Sequence, residues 1–190
     1  CNEIIRRNLI IAFHATTRTD CVDEEMLLKL KQAGCYRIAF GIETGSPRLL
    51  KEMGKENDVE NSIRAISLCK KVKLPVTALI IVGNVGETEE TISDTVKFLK
   101  KSKPDEIGSV GGLWILPGTK LYRDCRRRGI IDDDYWLGDE QYMVYTMEHS
   151  RETLDGFVQT INSYKGRVRK AIERAKRLPK ILHKIRKITQ

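Results

Sequence analysis

No C-x-x-C pair occurs among the five cysteines, which stand at positions 1, 21, 35, 69 and 125. Their odd number argues against a disulfide framework, and a reducing, cytoplasmic setting fits best. The three histidines, His14, His149 and His183, lie far apart and lack metal-ligand spacing. No G-x-S-x-G is present, and no Ser/His/Asp or Cys/His nucleophile suggests itself. Chemistry carried by a side-chain triad is thereby excluded. No apolar run approaches the ~20 residues that a membrane span needs, and no secretory signal is expected. The chain opens on Cys1 rather than Met, so an internal or C-terminal piece of a longer protein is the expectation.

What the sequence does hold is an ordinary globular composition with an uneven charge. Its 190 residues are 41% hydrophobic and 32% charged, enough for one full core. Residues 151–190 contain 12 Lys and Arg against 3 Asp and Glu, while the rest of the chain balances 22 against 23. The body is neutral and the tail is basic. Such a tail reads either as solvated surface with an apolar stripe or as a contact for nucleic acid or an acidic partner. It lacks interleaved aromatics, which argues against stacking on single-stranded bases.

Strand and helix signals alternate along the body. The run "LIIAFHA" (9–15) predicts a strand, with His14 as a core or lumen residue. Asp23 then caps a helix carrying Leu27, Leu30 and Ala33, and Gly34 closes it. "YRIAFGI" (36–42) predicts a second strand, and Ser46–Pro47 starts a short helix that Gly54 ends. Asp58 caps a longer helix with Ile63, Ile66 and Cys69 on one face. "VTALIIV" (76–82) does not alternate, which predicts a strand covered on both faces. Thr88 caps the helix of Ile92, Val96 and Leu99, "IGSVGGLWIL" (107–116) predicts a fourth strand, and a short helix runs to Gly129.

This order, βα four times over, means an α/β fold with parallel strands and right-handed crossovers. Residues 131–150 break the pattern and read as a connector. A helix through Phe157, Ile161, Tyr164, Val168 and Ile172 follows, and Pro179 starts a last basic helix. Cys35 and Cys69 read as buried small apolar residues.

Parallel α/β folds bind ligands at the carboxyl ends of their strands. There the sequence sets Arg18, Glu43, Lys55, Gly83, Asn84, Glu87, Pro117 and Gly118. Glu43 closes an apolar strand in "RIAFGIETGSPRLLKEMGK" (37–55), between Gly41 and Gly45. It reads either as an acid paired with Arg18 or Arg37, or as an acceptor for ligand hydroxyls or an amine that flanking glycines let approach. The loop "GNVGET" (83–88) opens a helix but lacks the Lys-Ser/Thr of a P-loop and does not match G-x-G-x-x-G.

Four stretches keep both order and spacing: "TTRTD" (16–20), "AGCYRIAFGIETGSPRLLKEMGK" (33–55), "LIIVGNVGETEETISDTVKFLKK" (79–101) and "WILPGTKLY" (114–122). Over about residues 1–140 the chain resembles the second half of a radical SAM domain. The type is the one often fused behind a cobalamin-binding domain, the group that includes the anaerobic magnesium-protoporphyrin monomethyl ester cyclases. The resemblance implies a partial TIM barrel of six βα units. The four units here would be its third to sixth, over residues 1–130, with a connector at 131–150 and basic helices at 151–190. It implies S-adenosylmethionine across the strand ends, held at a 4Fe–4S cluster and cleaved to a 5′-deoxyadenosyl radical that takes a hydrogen atom from a small-molecule substrate. Cobalamin is a further cofactor that this group brings.

Carried over position by position, Glu43 matches the residue that contacts the cofactor's ribose or amino-acid part. Lys55 matches the basic residue facing the methionine carboxylate, and Arg18 a second one. Ile81, Val82 and Gly83 match the strand whose backbone lies along the adenine. Leu116, Pro117 and Gly118 match the turn of the last strand. Two departures stand out. The C-x-x-x-C-x-x-C motif that holds the cluster is absent, so the chain alone is expected to be inactive and to need the missing N-terminal part of the same protein. The family's Gly-x-Pro-Gly-Glu-Thr turn carries Val85 in place of proline. Two binding expectations complete the reading: a dimer through the open sheet edge at 9–15, and, as the alternative function, RNA or protein contact through residues 165–190.

Overall fold

The computed structural model describes residues 1–55, 58–137 and 148–164, apart from the side chains of Ser109 and Trp136. Four strands form one sheet: β1 (Phe13–Thr17), β2 (Cys35–Glu43), β3 (Val76–Ile81) and β4 (Glu106–Gly111). They lie in sequence order with every neighbouring pair parallel. Between them run α2 (Glu24–Gln32), the short α3 (Pro47–Glu52), α4 (Val59–Lys71) and α5 (Glu89–Ser102). A short α1 (Asn2–Arg6) precedes the sheet, and α6 (Lys120–Arg127) and α7 (Arg151–Asn162) follow it. This is the expected α/β arrangement of four βα units, with the sheet open.

Local chemistry sets the helix starts. The Asp23 carboxylate accepts from the Met26 amide, Asp58 from Asn61 and Thr119 from Tyr122, each satisfying an otherwise orphaned N–H. Thr88 and Thr91 form a reciprocal capping box on α5. Ser46 makes no such bond, and α3 relies on Pro47 in its first turn.

One face of the sheet makes the core. Ile38, Phe40 and Ile42 of β2 and Val76, Ala78 and Ile80 of β3, with Val82 just beyond it, pack against Leu27, Ile66, Val96 and Phe157 from α2, α4, α5 and α7. The opposite face is different. Arg37, Gly41, Glu43, Leu79 and Ile81 are only half-buried. On that face Ala39 and Thr77 are buried while Leu79 and Ile81 are not, so β3 is covered on both faces only over its first half, and its carboxyl end is half-open on the side away from the core. Cys35 and Cys69 are buried as expected.

Three sequence expectations are corrected. The first strand is Phe13–Thr17 rather than 9–15. Leu9, Ile10 and Ile11 are exposed and precede the sheet, because Asn8 (φ 53°) turns the chain out of α1 and the ladder begins only where Phe13 N donates to Gly34 O. His14 is exposed, so it is not a core residue; it pairs in register with Arg37 while Phe13 and Ala15 pack on the core, which puts it on the opposite, lumen-side face that the sequence offered as its alternative. The fourth strand stops at Gly111, where two consecutive glycines offer no side chains to pack. Residues 112–137 gather instead around a second small cluster of Ile115, Tyr122, Cys125 and Ile131. The predicted helix around Phe157 is present as α7. Val168, Ile172, the helix from Pro179 and the RNA contact assigned to 165–190 lie outside the described residues.

Candidate cofactor site at the strand ends

At the carboxyl end of β2 the ladder shifts register between Gly41 and Glu43, and Glu43 takes φ 65°. That left-handed conformation costs a residue other than glycine about 1 kcal/mol or more and persists only where the surroundings enforce it. The turn folds the side chain back along its own strand. A Cβ on Gly41 would stand 2.9 Å from Oε1 of Glu43, so the glycine leaves the room the carboxylate occupies. Gly45 has another reason: its Cβ would meet Thr95 Cα at 2.6 Å and Phe98 Cβ at 2.7 Å, so it lets the chain pass against α5.

The carboxylate so placed accepts from Lys55 Nζ at 3.1 Å. Its side chain is 19% exposed and the lysine's 42%, so the pair is reachable. Neither cation considered as a structural partner takes that place. Arg18, just past β1, makes a two-pronged contact with Asp20 (3.0 and 2.6 Å). Arg37 donates to Glu106 at 2.9 Å lower on the same face, where Thr77 joins the same oxygen at 3.1 Å.

The end of β3 is built around a buried acid. Glu87 accepts from the Gly83 amide at 2.8 Å and the Asn84 amide at 3.2 Å on Oε2, while Thr91 Oγ1 reaches Oε1 at 3.1 Å. Burial pushes its pKa above the ordinary carboxylate value, and the hydrogen bonds from the loop offset part of that rise. Val82 N donates to Gly111 O at 2.9 Å, and Ile81 O accepts from Asn84 Nδ2 at 3.0 Å. The amides of Val82, Gly83 and Asn84 are thus already committed, and Val85 at the loop tip is 49% exposed.

Leu116, Pro117 and Gly118 stand several residues beyond the end of β4, in the turn that starts α6. Leu116 O accepts from Thr119 Oγ1 at 2.7 Å and Gly118 O from Arg123 Nη1 at 2.8 Å. The structure brings Glu43 and Lys55 together, puts Ile81–Gly83 at the neighbouring strand end, and sets Leu116–Gly118 in a separate turn. Sequence reasoning missed Arg48, Glu148 and His149, which all reach the 83–88 loop. The only local signal was Arg48 four residues before Glu52, with which it pairs at 2.9 Å. A groove of about 580 Å³ lies elsewhere, between α5 and α7 on the helical exterior.

A metal cluster does not fit the cysteines. Cys35 and Cys69 are buried in the main core and Cys125 in the second cluster, and no group of three or more ligating side chains occurs among the described residues. No described helix is long and apolar enough to cross a membrane.

The family model for the Radical SAM superfamily matches residues 1–99. An uncharacterized methyltransferase of Pyrococcus horikoshii is 36% identical over 119 residues, 63% of this chain and 26% of that protein. The anaerobic magnesium-protoporphyrin IX monomethyl ester cyclase of Rubrivivax gelatinosus is 36% identical over 107 residues, 55% of this chain and 19% of that one. The chain thus spans about a quarter or less of the length of these relatives. Among solved structures, the radical S-adenosylmethionine methyltransferase TsrM of Kitasatospora setae, with tryptophan and aza-SAM bound, superposes with a TM-score of 0.59 at 23% identity, over 67% of this chain and 26% of that one. Coproporphyrinogen III oxidase of Escherichia coli gives 0.58 at 15% identity, over 80% and 32%. Both show the same fold.

Proposed function

Because the chain belongs to the Radical SAM superfamily, we propose that its strand ends form part of an S-adenosylmethionine site and that Glu43 and Lys55 bind the cofactor's methionine end. The observation that carries this is the Glu43 turn: a left-handed acid at a strand end, over a glycine that makes room for it, 3.1 Å from a lysine. An α-amino acid presents an ammonium and a carboxylate side by side, and an adjacent acid and amine complement both. Arg18, one strand over, adds positive charge for the same carboxylate. With the amides of 82–84 committed, the apolar edge of Ile81 and Val82 and the backbone at Gly83 are the surface offered to the adenine. Leu116, Pro117 and Gly118, in the turn that starts α6, join the site on the family resemblance alone.

Bound S-adenosylmethionine supplies hydrogen-atom abstraction or methyl transfer in enzymes of this superfamily. The residues present do not fit a 4Fe–4S cluster, so this chain's share is to bind and orient the cofactor. Residues 1–130 then act as the second half of a partial barrel, in a reducing cytoplasmic setting. The rest of the longer protein would pair with the β1 edge, and in the chain alone a second copy would take that place. A small-molecule substrate, and cobalamin as in related enzymes, belong to that whole.

Calorimetric titration of S-adenosylmethionine into the 190-residue chain tests the reading. The wild type binds with a saturable isotherm, and E43Q and K55M each weaken binding about tenfold or more. Equal affinity in wild type and both variants would sink the assignment.

A further inference from the structure

Gly86 has both of its main-chain polar groups held by charged side chains from elsewhere. Its amide donates to Oε2 of Glu148 at 2.6 Å, and its carbonyl accepts from Nη2 of Arg48 at 2.7 Å. Arg48 lies in α3 and is steadied by Oε1 of Glu52 at 2.9 Å. One residue on, the Glu87 carbonyl meets Nε2 of His149 at 2.8 Å, and the His149 ring stands edge-on to Phe157 of α7 with centroids 5.5 Å apart. Two successive peptide groups of one loop are therefore gripped by α3 on one side and by residues 148–149 on the other.

The loop has reason to need it. Gly83 (φ 86°) and Gly86 (φ 78°) both sit in the left-handed region, where glycine has freedom and no side chain to anchor. Val85 at the tip packs little. Hydrogen bonds to ionised groups are shorter and stronger than neutral ones, and they are directional. The grip also reaches inward, because Glu87, whose carbonyl His149 holds, is the residue whose carboxylate fixes the Gly83 and Asn84 amides. Meanwhile α3 is a shared support: it leads from Glu43 to Lys55 and sends Arg48 across to Gly86. Both halves of the proposed cofactor site hang on it.

We propose that Arg48, Glu148 and His149 are positioning residues that lock the 83–87 loop, so that residues 148–149 act as a strap tying α7 to the cofactor edge. This rests on the cofactor reading above for its functional half. The lock itself is read without ligand.

The test is amide hydrogen exchange and ¹⁵N shifts on the full chain, without ligand and then with S-adenosylmethionine. E148A and R48A raise exchange at Gly86 about tenfold and also shift the Gly83 and Asn84 amides, which neither side chain touches. E148Q, which keeps an acceptor oxygen, stays near wild type. H149A shifts Glu87 and Gly83 together. In titrations, R48A and E148A weaken S-adenosylmethionine about fivefold while E148Q does not. Changes confined to Gly86 and Glu87 overturn the lock. A loosened loop with unchanged affinity overturns the positioning role. A wild type that fails to bind the cofactor overturns the cofactor reading instead, and the exchange arm still decides the lock.

Discussion

The Glu43 carboxylate occupies the space that a side chain on Gly41 would fill, and from there it reaches the Lys55 ammonium at 3.1 Å. The two glycines around Glu43 thus do separate jobs. G41A meets only the mobile end of the Glu43 side chain, so it should cost less than about 1 kcal/mol of stability while displacing the carboxylate and weakening S-adenosylmethionine binding. G45A drives a methyl into the backbone of α5 and should cost about 2 kcal/mol or more. Paired urea melts and ligand titrations check both. A G41A variant that unfolds, or a G45A variant that does not lose stability, contradicts the assignment.

Strain at Glu43 predicts a stability–function trade. E43G relieves the left-handed backbone at φ 65° and gives up one partly exposed ion pair, two effects of similar size, each about 1 kcal/mol. Thermal melts should place E43G at or above the wild type, although it loses cofactor binding. A fall of several degrees in Tm would show that the carboxylate is there for stability.

Glu87 predicts a pH dependence of known sign. Its pKa is raised above the ordinary 4.5 chiefly by burial, so between pH 4.5 and its folded value the native state holds the proton more tightly than the unfolded chain. The contribution is fully present below 4.5 and lost as pH rises through the folded value. Wild type should therefore lose stability relative to E87Q as pH climbs from about 4.5 through the folded value. A constant difference in ΔG of unfolding between the two across that window contradicts it.

The thiols should separate into two classes. Burial raises the pKa of Cys35, Cys69 and Cys125, that of Cys69 to about 12, while Cys1 and Cys21 are exposed. Since the thiolate is the nucleophile, native alkylation followed by peptide mapping should label Cys1 and Cys21 and reach the others only in denaturant.

The open edge predicts self-association. Among the described residues β1 is the outer strand of the sheet and pairs with β2 alone, and an unpaired strand edge templates pairing. T16P, which cannot donate along that edge, should shift the chain toward monomer in sedimentation runs. A wild type that stays monomeric over a wide concentration range excludes the pairing.

Much of the fold was legible because capping residues and glycine stops mark the helix ends and the buried strand faces are apolar. Asp23, Asp58 and Thr88 cap as their sequence context implied, whereas Ser46 makes no capping bond. "LIIA" misled because apolar content alone does not say where a ladder begins, and the run lies outside it. The fourth strand was read too long because Trp114 and Ile115 look like strand residues once the preceding glycine pair is ignored. At the site, Glu43 and Lys55 were each legible, but not as a pair. Twelve residues separate them, and only the positive φ at Glu43 turns the carboxylate toward the lysine. Arg48, Glu148 and His149 act through main-chain groups of a distant loop, a contact that leaves no pattern in sequence.

The most direct test of the central claim is an amide shift map of the chain on adding S-adenosylmethionine. The account predicts saturable shifts at Gly41–Thr44, Lys55 and Ile81–Gly83, with the midpoint about tenfold or more higher in E43Q. Saturable shifts elsewhere, such as the groove between α5 and α7, with the Glu43 turn silent, would contradict it.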